Sequence, residues 1–307
     1  MKLDSKIFVA GHNGLVGSAI LKKLQDDGYT NIITRSRAEL DLIDQIEVKR
    51  FFEKEKPNYV IAAAAKVGGI FANDAYCADF IYENLMIQNN LIHNSYLVGV
   101  EKFCFLGSVC IYPKFAPVPV KEECLLTGEL EPTNDAYAIA KIAGIKMCQA
   151  YYKQFGFHSI CLMPPNLYGP RDNFHPDNGH VIPSMLTKFN TKLDSVTLWG
   201  DGTPTREFLY SEDFADACIF LMNDPNTGKA DLINVGSGFD ISIKDLAEII
   251  KNVTNYDGKI YWDTTRPNGT PKRPLDFTKI KGYGWKPKHS FLEGIAKTYQ
   301  WFKENKL

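Results

Sequence analysis

The chain has 307 residues, 45% hydrophobic and 23% charged, with a formal net charge of −1. That length supports a full core and two lobes, and the composition excludes an intrinsically disordered chain. The near-neutral balance excludes a broad attraction to nucleic acid or an anionic membrane, so an anionic ligand must be held by local cations.

The N-terminus "MKLDSKIFVAGHNG" lacks the apolar core of a signal peptide, and the most apolar internal run, "YVIAAAA", is too short to span a bilayer. The seven cysteines are odd in number and show no C-x-x-C spacing, and no Cys/His group has zinc-ligand spacing. A soluble, cytoplasmic protein without a metal is expected.

Residues 6–10, "KIFVA", are predicted as a buried strand, and "GHNGLVGSAILKKLQDDGY" carries the chain through glycines into an amphipathic helix. Apolar runs at "NIITRS", "YVIAAA", "KFCFLGS" and "HSICLMP" alternate with helical stretches near 45–55, 78–98 and 135–155. This is the pattern of an α/β fold with a doubly wound parallel sheet. The segment "PPNLYGPRDNFHPDNGHVIP" is longer than a routine connection and reads as a functional loop. Beyond it, "FLYSEDFADACIFLM" and "ISIKDLAEIIKNV" are predicted as helices, and "LINVGSG" as a strand returning to the sheet. The expected division is a dinucleotide-binding Rossmann domain over 1–165, with return segments near 206–238, and a smaller interleaved substrate lobe over 166–205 and 239–307.

Gly11, Gly14 and Gly17 form G-x-x-G-x-x-G between strand and helix. Glycines permit the tight turn, let the backbone approach a pyrophosphate and allow close helix–strand packing, while the helix N-terminus offers orphan N–H groups. After the second strand, Arg35 and Arg37 in "TRSRAELDLID" favour a 2′-phosphate, hence NADPH over NADH.

In "DAYAIAK", Tyr137 and Lys141 stand four apart and share one helix face. An ammonium about 4 Å from the phenol, at an effective dielectric of about 20, contributes roughly 4 kcal/mol, enough to bring its ionisation about three pH units nearer neutrality. Ser108 follows a predicted strand, where open sheets place ligands, and its hydroxyl can polarise a substrate carbonyl.

These motifs, with "AGHNGLVGSAI", "AAAAKVGGI", "FLGSVCIYPK", "EPTNDAYAIAKIAGIK", "NLYGPRDNFHPDNGHVIP", "LWGDGTPTREFLY", "INVGSG" and "RPNGTPKRPLD", resemble over nearly the whole chain the extended short-chain dehydrogenase/reductases, in their GDP-L-fucose synthase subfamily. The resemblance implies 3,5-epimerisation and 4-reduction of a GDP-4-keto-6-deoxy sugar, in a homodimer joined through long helices. It makes Ser108, Tyr137 and Lys141 the reductase triad and gives the epimerisations to Cys110 and His180. For NADPH it implies Gly11, His12, Asn13, Gly14, Leu15, Val16 and Gly17. It adds Arg37, Leu42, Leu106, Gly107, Lys141, Pro164, Asn166, Leu167 and His180. For the GDP-sugar it implies Lys188, Trp199, Arg206, Asn268 and Arg273.

Four positions depart from the subfamily. Asn13 stands where arginine is common, Val109 replaces a serine, Pro165 a threonine and Arg171 a histidine. The sugar pocket is expected to differ. A C4 reductase acting on a pre-epimerised GDP-4-keto sugar, such as a 6-deoxyheptose derivative, is the enzymatic alternative. A nucleotide-sensing module without turnover is the other class, and it has no use for the triad.

Overall fold

The computed structural model describes residues 1–176, 179–191, 193–265 and 274–305. Asn268 and Arg273 therefore lie outside the described residues. The chain runs β1 (Ile7–Ala10), α1 (Leu15–Asp26), β2 (Ile32–Ile33), α2 (Gln45–Glu55), β3 (Tyr59–Ala62), α3 (Ile70–Ala75), α4 (Cys77–Leu97), β4 (Lys102–Leu106), α5 (Asp135–Phe155) and β5 (Ser159–Met163). There follow β6 (Asn166–Tyr168), α6 (Val181–Phe189), β7 (Ser195–Trp199), β8 (Thr205–Tyr210), α7 (Ser211–Asn223) and β9 (Lys229–Asn234). The last elements are β10 (Asp240–Ser242), α8 (Ile243–Thr254), β11 (Lys259–Asp263), α9 (Thr278–Gly282) and α10 (Phe291–Asn305).

Six strands pair in the order β2-β1-β3-β4-β5-β9, every neighbour parallel. Both faces are covered by helices, which is why β1 and β5 are buried throughout rather than alternating. α1 packs on α7, and α4 packs on both α2 and α5. The strand order reverses beside β1 and β3, so a crevice opens outside their carboxyl ends.

The chain leaves this sheet after β5, forms β6, α6, β7 and β8, and comes back for α7 and β9. β6, β8 and β10 make a three-stranded sheet, β7 and β11 a parallel pair. A second, smaller core gathers here around Tyr168, Phe189 and Leu246. Among the described residues no helix is long and apolar enough to cross a membrane.

Two segments differ from expectation. "FLYSEDFADACIFLM" is not one helix: Phe208, Leu209 and Tyr210 end β8, and α7 starts at Ser211. Alternation along β8 sends Leu209 into the large core and Phe208 and Tyr210 into the small one, burial that a helix could not give both sides. Glu212 and Asp213 then favour the positive end of α7. Within the long loop, Asn166–Tyr168 pairs with β8 and so becomes a strand.

Gly17 lies in the first turn of α1, and a Cβ there would collide with the Gly11 carbonyl group, which is backbone and cannot swing aside. Gly17→Ala is expected to lower stability by about 1–3 kcal/mol, the usual cost of overpacking. Urea unfolding should show a lower midpoint at unchanged slope. A midpoint equal to that of the unaltered protein would mean that α1 and the turn are not held this closely.

Candidate active site

β1 ends at Ala10, and Gly11 turns the chain with φ of +82°, a conformation that also brings its Cα against the backbone of Ala64. Gly14 is the N-cap of α1. It offers no side chain to the helix N–H groups, and the first turn holds no acid. These orphan donors face a cleft of about 890 Å³ that Gly11, His12, Asn13, Gly14, Leu15 and Val16 help to line. Nδ1 of His12 is buried there without a partner among the described residues. An anionic group such as a pyrophosphate fits this end of the helix. Gly17 is not among the lining residues; it sits behind the turn and fixes its shape.

Arg35, Arg37 and Leu42 form the outer wall. Arg35 is committed within the protein: it donates to Glu55 Oε1 at 3.0 Å and lies over the Phe51 ring at 5.5 Å. Arg37 is largely exposed, with Nε 3.5 Å from Asp41 and Nη1 3.9 Å from Glu83. Solvent weakens such long contacts, so Arg37 can turn to a phosphate.

The carboxyl end of β4 delivers Leu106, Gly107, Ser108 and Val109 to the middle of the cleft. Ser108 caps a short 3₁₀ turn, Val109–Ile111, its Oγ accepting the Cys110 N–H at 3.3 Å, and this turn sets Cys110 beside it. Tyr137 lies in the first turn of α5, and Lys141 follows one turn later on the same face. Lys141 is buried, donates through Nζ to the Leu106 carbonyl at 2.8 Å, and stands 5.2 Å and 5.8 Å from the Phe105 and Tyr137 ring centroids. Burial lowers its pKa to about 8.

The expected depression of the Tyr137 pKa is not what this geometry gives. Burial pushes the phenol up, a charge on Cys110 would push it further, and only a hydrogen bond with Ser108 opposes them. Tyrosine and lysine do share one face, but burial, and not the lysine, is the largest influence on the phenol.

His180 caps the N-terminus of α6, with Nδ1 3.5 Å from Asp172 Oδ1. That contact raises its pKa against the effect of burial. Pro164, Pro165, Asn166, Leu167 and Arg171 complete this side. Two neighbours had no signal in the sequence reading: Asn134, whose Nδ2 lies 3.4 Å from Cys110 Sγ, and Asp172.

A smaller hollow of about 150 Å³ adjoins the cleft, sharing Val109, Cys110, Asn134, Pro165 and Asn166 with it. Arg206 lines it together with Glu131, Glu207 and Asp240. Burial lowers the pKa of Arg206 and raises that of Glu207 to about 7. Lys188, in the last turn of α6, and Trp199, at the exposed end of β7, are not among the described residues lining either hollow. β7 turns Val196 and Leu198 inward, so alternation sends Trp199 out.

The NAD dependent epimerase/dehydratase family matches residues 7–236. The chain is 56% identical to putative GDP-L-fucose synthase 2 of Arabidopsis thaliana, covering 99% of this chain and 94% of that one. It is 48% identical to GDP-L-fucose synthase of Escherichia coli (strain K12), over 98% and 97% of the two chains. A solved GDP-mannoheptose C4 reductase from Campylobacter jejuni with NADP bound is 41% identical, with a TM-score of 0.89 over 99% of both chains. The chain belongs to the NAD dependent epimerase/dehydratase family and, within it, to the GDP-L-fucose synthase subfamily of the extended short-chain dehydrogenase/reductases.

Proposed function

We propose that the protein converts a GDP-4-keto-6-deoxy sugar by epimerisation at C3 and C5 followed by NADPH-dependent reduction at C4, as in GDP-L-fucose synthesis. The observation that carries this reading is that Ser108, Cys110, Tyr137, Lys141 and His180 all line one cleft beside the glycine turn.

In this reading residues 1–165, with return segments near 206–238, hold NADPH, and 166–205 with 239–307 hold the GDP-sugar. The turn from Gly11 to Val16 takes the pyrophosphate and Arg37 the 2′-phosphate. Leu42 walls the adenosine end, and Leu106, Gly107, Pro164, Asn166, Leu167 and His180 border the nicotinamide end. The bound cofactor supplies hydride for C4. Ser108 polarises the C4 carbonyl, Lys141 orients the nicotinamide ribose, and Tyr137 gives its proton to the C4 oxygen as the hydroxyl forms. The raised phenol pKa suits that role, since it keeps the proton in place until the oxygen demands it. Before reduction, the C4 ketone acidifies C3 and C5; Cys110 as thiolate removes a proton and protonated His180 returns one to the other face.

For the nucleotide, Arg206, Lys188 and Arg273 are assigned to the diphosphate, and Trp199 and Asn268 to the rest of the substrate. Arg206 supplies a cation to the small hollow, and Glu131, Glu207 and Asp240, which line it too, suit sugar hydroxyls beside the diphosphate. The proposal includes a cytoplasmic homodimer. The second reading is C4 reduction alone. It is favoured by the likeness to the Campylobacter jejuni heptose reductase and by Val109 and Pro165, which depart from the subfamily and line the small hollow.

Incubating protein, oxidised cofactor and GDP-4-keto-6-deoxymannose in D₂O tests the choice. Deuterium should enter at C3 and C5, and Cys110→Ser should slow entry while sparing reduction of a pre-epimerised ketone. No entry, with rapid reduction of that ketone, would leave the reductase reading.

Tyr137→Phe should retain binding of NADPH and GDP-sugar but lower reduction by a factor of about 100 or more, the usual contribution of a positioned proton donor. Near-normal turnover, followed by NADPH absorbance, would remove Tyr137 from the mechanism.

Lys141→Met separates stability from activity. The folded protein releases the Lys141 proton near pH 8 and the unfolded chain near 10.5, so between these values the unfolded state binds more protons and stability rises with pH. Below pH 8 the buried charge costs the fold its full penalty. The methionine variant should be more stable at pH 7 by up to about 3 kcal/mol, lose that advantage as pH approaches 10.5, and reduce no substrate. Equal stability at pH 7 in denaturant titrations would mean that the ammonium is adequately solvated.

A further inference from the structure

The epimerisation chemistry proposed above asks His180 to carry a proton at the pH where the enzyme works, and its position works against that. It is the N-cap residue of α6, so the positive end of the helix disfavours a charged ring, and its side chain, 45% exposed, is only partly withdrawn from water. Other cationic and titratable groups line the same cleft: Cys110 after β4, Tyr137 and Lys141 on α5, and Arg171 in the loop before α6. Among the described residues, the acid within ion-pair distance of the imidazole is Asp172, with Oδ1 3.5 Å from Nδ1.

Asp172 is built into its place. Its side chain is only 4% exposed, Oδ1 also accepts the Asn173 N–H at 2.8 Å, and its own N–H donates to the Gly169 carbonyl at 3.3 Å. Arg171 beside it takes a left-handed backbone, φ +63°, which turns the chain so that Asp172 points inward. Gly179 closes the other side of the loop: a Cβ there would strike the carbonyl oxygens of Asn173 and His175. The second carboxylate oxygen, Oδ2, is buried and has no hydrogen-bond partner among the described residues. A buried carboxylate left half satisfied is costly, and a charged imidazole beside Oδ1 offsets its charge without reaching Oδ2.

We propose that Asp172 is a positioning residue for His180, holding the imidazole through Nδ1 and leaving Nε2 as the nitrogen that returns a proton to the sugar. This rests on the epimerase reading for its purpose, and on the carboxylate–imidazole contact for its substance. In the step concerned, the Nε2–H bond breaks and the electron pair of the substrate enolate forms the new C–H bond. His180 becomes neutral, still held by Asp172, and recovers its proton from solvent.

The experiment is a pH titration of the histidine ring signals by NMR in the intact protein, with His180 identified by the signal missing from His180→Gln. His180 should titrate above the ordinary value near 6.5, and Asp172→Asn, which keeps the shape and removes the charge, should bring it down by about one pH unit or more, as expected for an adjacent opposite charge. Asp172→Glu should restore part of the rise. In the D₂O assay the pH above which deuterium entry declines should move down by the same amount in Asp172→Asn. A His180 value at or below 6.5 in the unaltered protein overturns the proposal by itself, even if neither variant folds; so does an unchanged value in Asp172→Asn. Absence of deuterium entry in the unaltered protein, with His180 titrating high and responding to Asp172→Asn, would overturn the epimerase reading and uphold the pair.

Discussion

The ammonium of Lys141 is buried with a backbone carbonyl and two aromatic rings around it, and among the described residues no carboxylate forms an ion pair with it. The fold tolerates this because α5 is held from several sides. Gln88 on α4 donates to the Ala140 carbonyl at 2.6 Å, and Gly144, one turn beyond Lys141, lets the helix lie directly on Phe105 of β4. An added Cβ at Gly144 would push into that ring and lift the helix from the strand. Lys141 reaches Leu106 only at this spacing, and Tyr137 reaches Ser108 from the same helix face. The geometry of the cleft follows from one close helix–strand contact.

That arrangement explains which parts of the site were legible in the sequence. The glycine turn, the lysine one turn beyond the tyrosine and the serine after β4 are local patterns, fixed by helix periodicity and by the end of a strand. Asp172 and His180 are eight residues apart in an irregular loop, and Asn134 meets Cys110 across 24 residues. No periodicity joins such pairs. The direction of the Tyr137 shift differs from the sequence expectation for a related reason: spacing tells which groups are neighbours, while desolvation depends on everything that excludes water around them.

The fold shows the same division. β1, β3 and most of β4 and β5 stand out because both faces are buried and their runs are nearly all apolar. β8 does not, because its three last residues serve two cores at once and look helical beside the amphipathic α7. β7 and β11 are not distinct either: each is five residues long and partly exposed, and they pair only with each other. Elements that depend on a distant partner for their burial are the ones that local sequence describes worst.

The two half-reactions proposed for the cleft place opposite demands on neighbouring groups. Proton removal needs a thiolate at Cys110, and carbonyl reduction needs a proton on Tyr137. A negative charge at Cys110 raises the phenol pKa further, so forming the base strengthens the hold of Tyr137 on its proton. While Cys110 is charged, the phenol holds its proton more tightly. Once the thiol has its proton again, that restraint is lifted and Ser108 alone remains to favour the phenolate. Electrostatic coupling therefore ties the two proton carriers together: Tyr137 is the weaker acid while Cys110 is a thiolate, and regains acidity in the same step that gives the thiol its proton.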